Sequence, residues 1–214
     1  MGKLCREKPK SESVWLKARE ERGIGGSQAA AIVGMSPWMT ANELWNIKTG
    51  NAVPKDMSDD PFVQKGVRLE PALRELYKSI HPDIKVSFHK YDLLFQSDRP
   101  WLFATLDGEL KEGKKKGVLE VKTSTPNGKA GWEKWNNQIP SNYHIQILHQ
   151  LLATGYDFAV LFACLFNAEG DFTVREYRFE REDLKEDLDW LLGKEEEFWK
   201  SVQNRTLPPM TLVL

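Results

Sequence analysis

The chain has 214 residues, 41% of them hydrophobic, and a formal net charge of −1 from 30 basic and 31 acidic residues. That is enough apolar material for one substantial core, and the near-neutral balance argues against a strong general affinity for nucleic acid, although a basic groove can be offset by acids elsewhere. Only two cysteines, Cys5 and Cys164, are present, which excludes a four-cysteine iron–sulfur or zinc site within one chain, and no apolar run is long enough to span a membrane.

A single domain over residues 1–214 is expected, with residues 1–12 flexible and lacking the apolar core of a signal peptide. Residues 15–21 read as a short helix leading into the turn Gly23-Ile24-Gly25-Gly26, after which Ser27 is a natural N-cap for a helix at 28–33. Amides at glycines ahead of a helix attract anions, so this loop is either a plain structural turn or a cradle for an isolated phosphate. It fits neither the dinucleotide fingerprint, because a helix precedes it, nor a P-loop, because the Lys-Ser/Thr ending is missing. Arg19 favours the phosphate reading, since its planar fork suits phosphate oxygens; the alternative is a pairing with an acid such as Glu21.

Residues 42–48 form a second short helix, and a third segment spans 58–80, with Pro71 forcing a kink or a restart beside Glu70. A single helical glutamate is usually a surface residue, but a kink here aims Glu70 off the regular helix face. Strands are expected at 84–91, 103–110 and 118–123, and the Lys/Gly-rich run 111–117 makes the last two a hairpin. With the turn centred near Lys114, Asp107 falls almost opposite Val121, and Asp107 and Glu120 share one end of the hairpin. Glu120 and Lys122 share a face, while Val121 points to the core and offers its carbonyl near the carboxylates. Two carboxylates and a carbonyl suit a hard divalent cation, and the ammonium suits a water or a developing negative charge. Together these are the elements of metal-assisted phosphodiester hydrolysis. On an exposed strand the same Glu-x-Lys would be only a solvated pair.

Residues 143–154 read as a helix with Gln146, His149 and Gln150 on one face. The four histidines show no metal-ligand spacing and read as ordinary. Residues 158–167 form a long apolar, central strand holding Cys164 as an inert core residue, and 172–179 alternate as an edge strand. Residues 181–203 close the chain as an amphipathic helix with Leu184, Leu188, Leu191, Phe198 and Trp199 near its buried side. The order predicts an α/β fold, a mixed β-sheet flanked by helices.

The segments WLKAREERGIGGSQAAAIVGMSPW, GVRLEPALRELY, LDGEL, LEVKTS and YHIQILHQLLATG resemble, in order and spacing, the YqaJ-like viral recombinase family. The resemblance covers roughly residues 15–164. It implies a restriction-endonuclease-like PD-(D/E)XK core and Mg²⁺-dependent, processive 5′→3′ digestion of double-stranded DNA ends. The expected products are 5′-mononucleotides and 3′ overhangs for single-strand-annealing recombination. It further implies that Mn²⁺ substitutes for Mg²⁺ while Ca²⁺ is non-productive, a homotrimeric ring, a single-strand annealing protein as partner, and a phage or prophage protein in a bacterial cytoplasm. Leu106 stands where the motif name has proline. Carried over, Asp107, Glu120 and the Val121 carbonyl would hold the metal, Lys122 would orient or activate the attacking water, and Glu70 would position it or support a metal. Arg19, Ser27 and Gln146 would surround the terminal 5′-phosphate and scissile strand, and Val63 or Phe62 would be a strand-separating wedge. The alternatives are a site-specific endonuclease of the same core, against which the lack of an extra recognition segment counts, a Cas4-type nuclease, against which the missing cysteines count, and a non-catalytic protein that binds DNA ends.

Overall fold

Period-two alternation of apolar side chains in the middle of the chain builds two sheets where one was expected. The computed structural model describes residues 2–208. In order they form β1 (Leu4–Glu7), α1 (Glu12–Arg22), β2 (Ile24–Gly25), α2 (Gly26–Ile32), α3 (Ala41–Lys48), α4 (Pro61–Ile80), β3 (Lys85–Ser87), β4 (Leu93–Gln96) and β5 (Arg99–Ala104). There follow β6 (Gly108–Glu112), β7 (Lys115–Ser124), α5 (Gly128–Glu133), α6 (Ser141–Thr154), β8 (Phe158–Phe166), β9 (Phe172–Glu180), a 3₁₀ turn (Arg181–Leu184) and α7 (Lys185–Asn204). One sheet has the order β1-β4-β5-β2 and the other β3-β6-β7-β8-β9. Among the described residues no helix is long and apolar enough to cross a membrane.

The five-stranded sheet positions the site. β7 and β8 are parallel, joined by a crossover through α5 and α6, and their outer neighbours β6 and β9 are antiparallel. β8 is buried on both faces, as its unbroken apolar run requires. Ala159, Leu161, Ala163 and Leu165 belong to a core with α2, α6 and α7, whereas Phe158, Val160, Phe162 and Cys164 pack with Leu73 and Tyr77 of α4. Leu119 and Val121 of β7 join the α4 side, so the alternating Glu120 and Lys122 are turned toward α6. Val121 points to a core, as expected.

Several local expectations are corrected. Within the segment expected to be flexible, Leu4–Glu7 is a strand paired antiparallel with β4, and Arg6 bridges Asp92 and Glu109 at 2.5 and 2.6 Å. Ser27 is not an N-cap: the helix starts at Gly26, two residues before the expected start, and the Gln28 side chain accepts the Gly25 N–H at 3.2 Å. Pro71 neither ends nor restarts α4, which is continuous. The carbonyl deprived of its donor is that of Val67, whose residue is exposed, so water can satisfy it. The strand expected at 84–91 is confined to Lys85–Ser87; Tyr91 takes φ of 70°, and a separate strand starts at Leu93. The expected strand 103–110 is split, because residues 105–107 carry the chain from the four-stranded sheet to the five-stranded one. α5 was not anticipated, and the C-terminal helix begins after a 3₁₀ turn.

Candidate active site

The break between β5 and β6 places Asp107 at the open edge of β7. β6 and β7 are in register from Gly108 opposite Leu119, one residue from the expected pairing. Beyond that point the Asp107 carboxylate replaces the missing strand: its Oδ2 accepts the Val121 N–H at 2.8 Å. The N–H and C=O of one strand residue project to the same edge, so the Val121 carbonyl faces the Asp107 side as well. The Asp107 main-chain carbonyl accepts from Arg74 Nε at 2.6 Å, and Arg74 Nη2 reaches Glu70 Oε1 at 2.5 Å. Arg74 also lies 3.7 Å from the Phe88 ring centroid, which fixes its guanidinium between the two acids.

Glu120 is 3% exposed and accepts three donors. Lys122 Nζ and Gln146 Nε2 meet Oε1 at 2.6 and 2.5 Å, and Gln150 Nε2 meets Oε2 at 2.5 Å. The expected common face of Gln146 and Gln150 is thus a clamp on this carboxylate. Gln146, expected near the scissile strand, is engaged with Glu120. Burial and the neighbouring Glu120 and Glu70 push the Asp107 carboxyl well above its ordinary value, and burial raises Glu70 despite Arg74. Burial opposes the Lys122 charge, yet Glu120 and Asp107 hold its ammonium above the usual range.

The donor set fits a divalent cation. Asp107, Glu120 and the Val121 carbonyl present oxygens only, the preference of Mg²⁺ and similar hard ions, and the crowding that raises Asp107 is what a positive charge relieves. The buried Gln150 Oε1 has no protein partner. Among the described residues no three His, Cys, Asp or Glu side chains converge as a ready ligand cage. Two carboxylates with water completing the shell is the usual way Mg²⁺ is held.

Arg19 lies close enough to Asp107 to oppose the effect of burial on its own charge, and its guanidinium stacks 4.4 Å from the Trp15 centroid. The alternative pairing with Glu21 does not occur, since Glu21 meets Lys17 at 3.7 Å. Lys48, which carries no local motif, stands beside Arg19: burial and that guanidinium push its ammonium down to about 8. Among the described residues neither cation is in a salt bridge. Ser27 is exposed in the first turn of α2, and Gly26 lies where an added Cβ would be 3.3 Å from Gln146. The glycine loop therefore abuts the residues that hold Glu120. Phe62 and Val63 are exposed at the start of α4, both about two turns before Glu70 on the helix that carries it.

Of the residues singled out from sequence, Asp107, Glu120, Val121, Lys122, Glu70 and Gln146 converge, and Arg19 joins them at Asp107. Arg74 and Lys48 were missed. The signal for Arg74 was its position four residues after Glu70; nothing local marked Lys48. His149, read as ordinary, is buried with Nδ1 2.6 Å from Glu195 and Nε2 2.9 Å from the Phe103 carbonyl, tying α6 to α7 and β5.

A family model of the YqaJ-like viral recombinase domain matches residues 14–157. The Bacillus subtilis (strain 168) protein described as uncharacterized protein YqaJ is 30% identical over 196 residues, 92% of this chain and 58% of its own length. Among solved structures, the alkaline exonuclease LHK-Exo of Laribacter hongkongensis has a TM-score of 0.67 at 19% identity, covering 90% of this chain and 93% of that one. A phage related exonuclease from Haemophilus somnus 129PT has a TM-score of 0.52 at 12% identity, covering 86% and 96%. At such identities the structures establish the fold alone, a mixed α/β arrangement of sheets flanked by helices. Matched by the family model over most of its length and by a relative along nearly all of it, the chain belongs to the YqaJ-like viral recombinase family.

Proposed function

We propose that this chain is a divalent-cation-dependent nuclease that digests duplex DNA processively from 5′ ends, releasing 5′-mononucleotides. The observation that carries this reading is the convergence of Asp107, Glu120 and Lys122 at an open strand edge, with Arg19 beside Asp107. A surface ion pair has no need of a buried carboxylate clamped by three donors. Asp107, Glu120 and the Val121 carbonyl would hold the cation, Mg²⁺ or Mn²⁺ in productive form. When bound, the cation supplies charge neutralisation at the phosphodiester and an activated water at neutral pH.

The protein groups divide the remaining work. Gln146 and Gln150 fix the Glu120 carboxylate so that it need not reorganise. Lys122, kept protonated by its acidic neighbours, stabilises charge developing on phosphoryl oxygens and orients the water. Glu70, with its raised affinity for a proton and its contact with Arg74, would take a proton from that water. Arg19, with the Ser27 hydroxyl and loop amides, would hold a terminal 5′-phosphate, whose charge exceeds that of an internal diester. Each released mononucleotide leaves a new 5′-phosphate, so the same groups would be re-engaged after every cut. The resulting 3′ overhang suits a single-strand annealing protein, and Phe62 or Val63 would part the strands.

The deciding experiment is incubation of linear and closed circular duplexes with Mg²⁺. Loss of the linear form alone is expected. Loss of both would indicate an endonuclease, and loss of neither a protein that only binds ends. End-labelled duplexes then report polarity: 5′-phosphorylated ends should be digested faster than 5′-hydroxyl ends, with Arg19→Ala removing most of the difference. Equal rates on both ends in the wild type would place phosphate recognition elsewhere.

A further inference from the structure

The segment joining α2 to α3 presents Trp38 to solvent on an ordered turn. The Met35 and Ser36 N–H groups both donate to the Ala30 carbonyl, at 2.9 and 3.1 Å, and the Trp38 N–H donates to Ser36 Oγ at 3.2 Å. Pro37 fixes one further backbone angle. The indole is nevertheless 71% exposed. Leaving so large an apolar face in water, on a backbone that is pinned, is costly unless something covers it.

The indole's neighbours say what that is. Its ring lies 6.5 Å from that of Tyr143, tilted by 42°, and Lys122 Nζ is 5.1 Å from the Tyr143 centroid. One aromatic ring therefore separates Trp38 from the lysine of the candidate active site. Arg19 stands beside Asp107, whose charge also acts on Lys122. If Arg19 holds the terminal phosphate and Lys122 faces the scissile one, the retained strand would leave the site past Tyr143 and Trp38. Drawing the terminal nucleotide into the site unstacks it from its neighbour and bares that neighbour's base. An indole stacks on any base, so it can cover this face without imposing sequence preference.

We propose that Trp38 is a stacking platform for the nucleobase immediately 3′ of the scissile phosphate, the second nucleotide from the 5′ end. This rests on the nuclease reading, but its test does not require cleavage. The full chain and its Trp38→Ala and Trp38→Phe variants are titrated, in EDTA, into a fluorescent 5′-phosphorylated duplex and into copies with one abasic site, at the second nucleotide or near the far end. Trp38→Ala should bind the intact duplex roughly ten-fold more weakly, with Trp38→Phe recovering most of the loss. An abasic second nucleotide should weaken the wild type by a similar factor and Trp38→Ala no further, and the distal abasic site should weaken neither. Full affinity in Trp38→Ala, or an equal abasic penalty in both proteins, would overturn the proposal. So would a change of oligomeric mass in Trp38→Ala by light scattering with DNA affinity unchanged, which would make the indole a subunit contact. Wild-type protein that binds the duplex with this pattern but leaves linear DNA intact in Mg²⁺ would refute the nuclease reading and keep the platform. Failure to bind duplex at all would refute both.

Discussion

Asp107 and Glu120 are held differently, and substitutions should separate folding from chemistry at each. In Asp107→Asn the amide oxygen can still accept the Val121 N–H, and in Glu120→Gln the side chain still fills its place among Lys122, Gln146 and Gln150. Both variants should keep their melting temperature within a few degrees and lose cleavage in Mg²⁺; substantial turnover in either would remove the metal assignment. Lys122→Ala should keep DNA affinity within several-fold while turnover falls by about 10²–10³, measured as kcat against Kd. Equal losses in both would make the lysine a phosphate anchor. Lys48 gives a pH-dependent prediction. Its proton is held with a pKa of about 8 in the folded chain against 10.5 in the reference state, so between these values the unfolded chain binds the proton more tightly. Stability therefore rises as pH climbs from about 8 toward 10.5, and the full cost of burying the charge is present below pH 8. Lys48→Met should raise the melting temperature at pH 7, with the gain shrinking to nothing toward pH 10.5 in a melting series; a gain independent of pH would show that packing, not charge, is responsible. These residues also mark what sequence could disclose. Asp107, Glu120 and Lys122 were legible because strand alternation puts them together. Lys48 was not, because its neighbour Arg19 comes from a helix distant in sequence.

At the level of elements, long apolar segments were legible and short ones were not. β8 declares itself by eight consecutive buried residues, and α4 and α6 by their helical spacing. β1, β3 and β4 have three or four residues each, too few for periodicity to distinguish them from loop. The apolar run ending in Leu106 suggested one strand, whereas the chain has to leave strand geometry for the Asp107 carboxylate to face Val121 and its carbonyl to face Arg74. Pro71 predicts a kink or a restart because its local penalty is fixed, but packing of Leu73 and Tyr77 against β8 keeps α4 continuous. One position in β7 tests how rigidly that strand is held. A Cβ at Gly117 would clash with the ring edge of Phe158, at its Cε2 and Cζ, and that ring is fully buried between α4 and the sheet. Gly117→Ala should destabilise the protein by roughly 1–3 kcal/mol through overpacking, read as a lowered urea midpoint at unchanged slope. An unchanged midpoint would mean that Phe158 can move and that the strand bearing Glu120 is softer than its packing implies.

For the whole molecule the constraint is charge. With 30 basic and 31 acidic residues a single chain exerts little long-range pull on DNA, and its site cations, Arg19, Lys48 and Lys122, cluster beside the carboxylates rather than forming a broad track. A substrate held only there would dissociate between cuts. Processive digestion then requires that several copies surround the duplex, as the family resemblance to a ring of three implies. Light scattering should accordingly give about three times the 24.6 kDa chain mass at micromolar concentration. On dilution to the range where the mass falls to that of one chain, digestion of long labelled duplexes in the presence of excess unlabelled DNA should change from complete degradation of a few molecules to partial trimming of many. Because the candidate active site is built within one chain, the rate of the first cut should change far less than the run length. A single chain at micromolar concentration that still degrades duplexes to completion in one encounter would refute enclosure and place the grip on DNA within the monomer, most directly at Arg19 and Lys48.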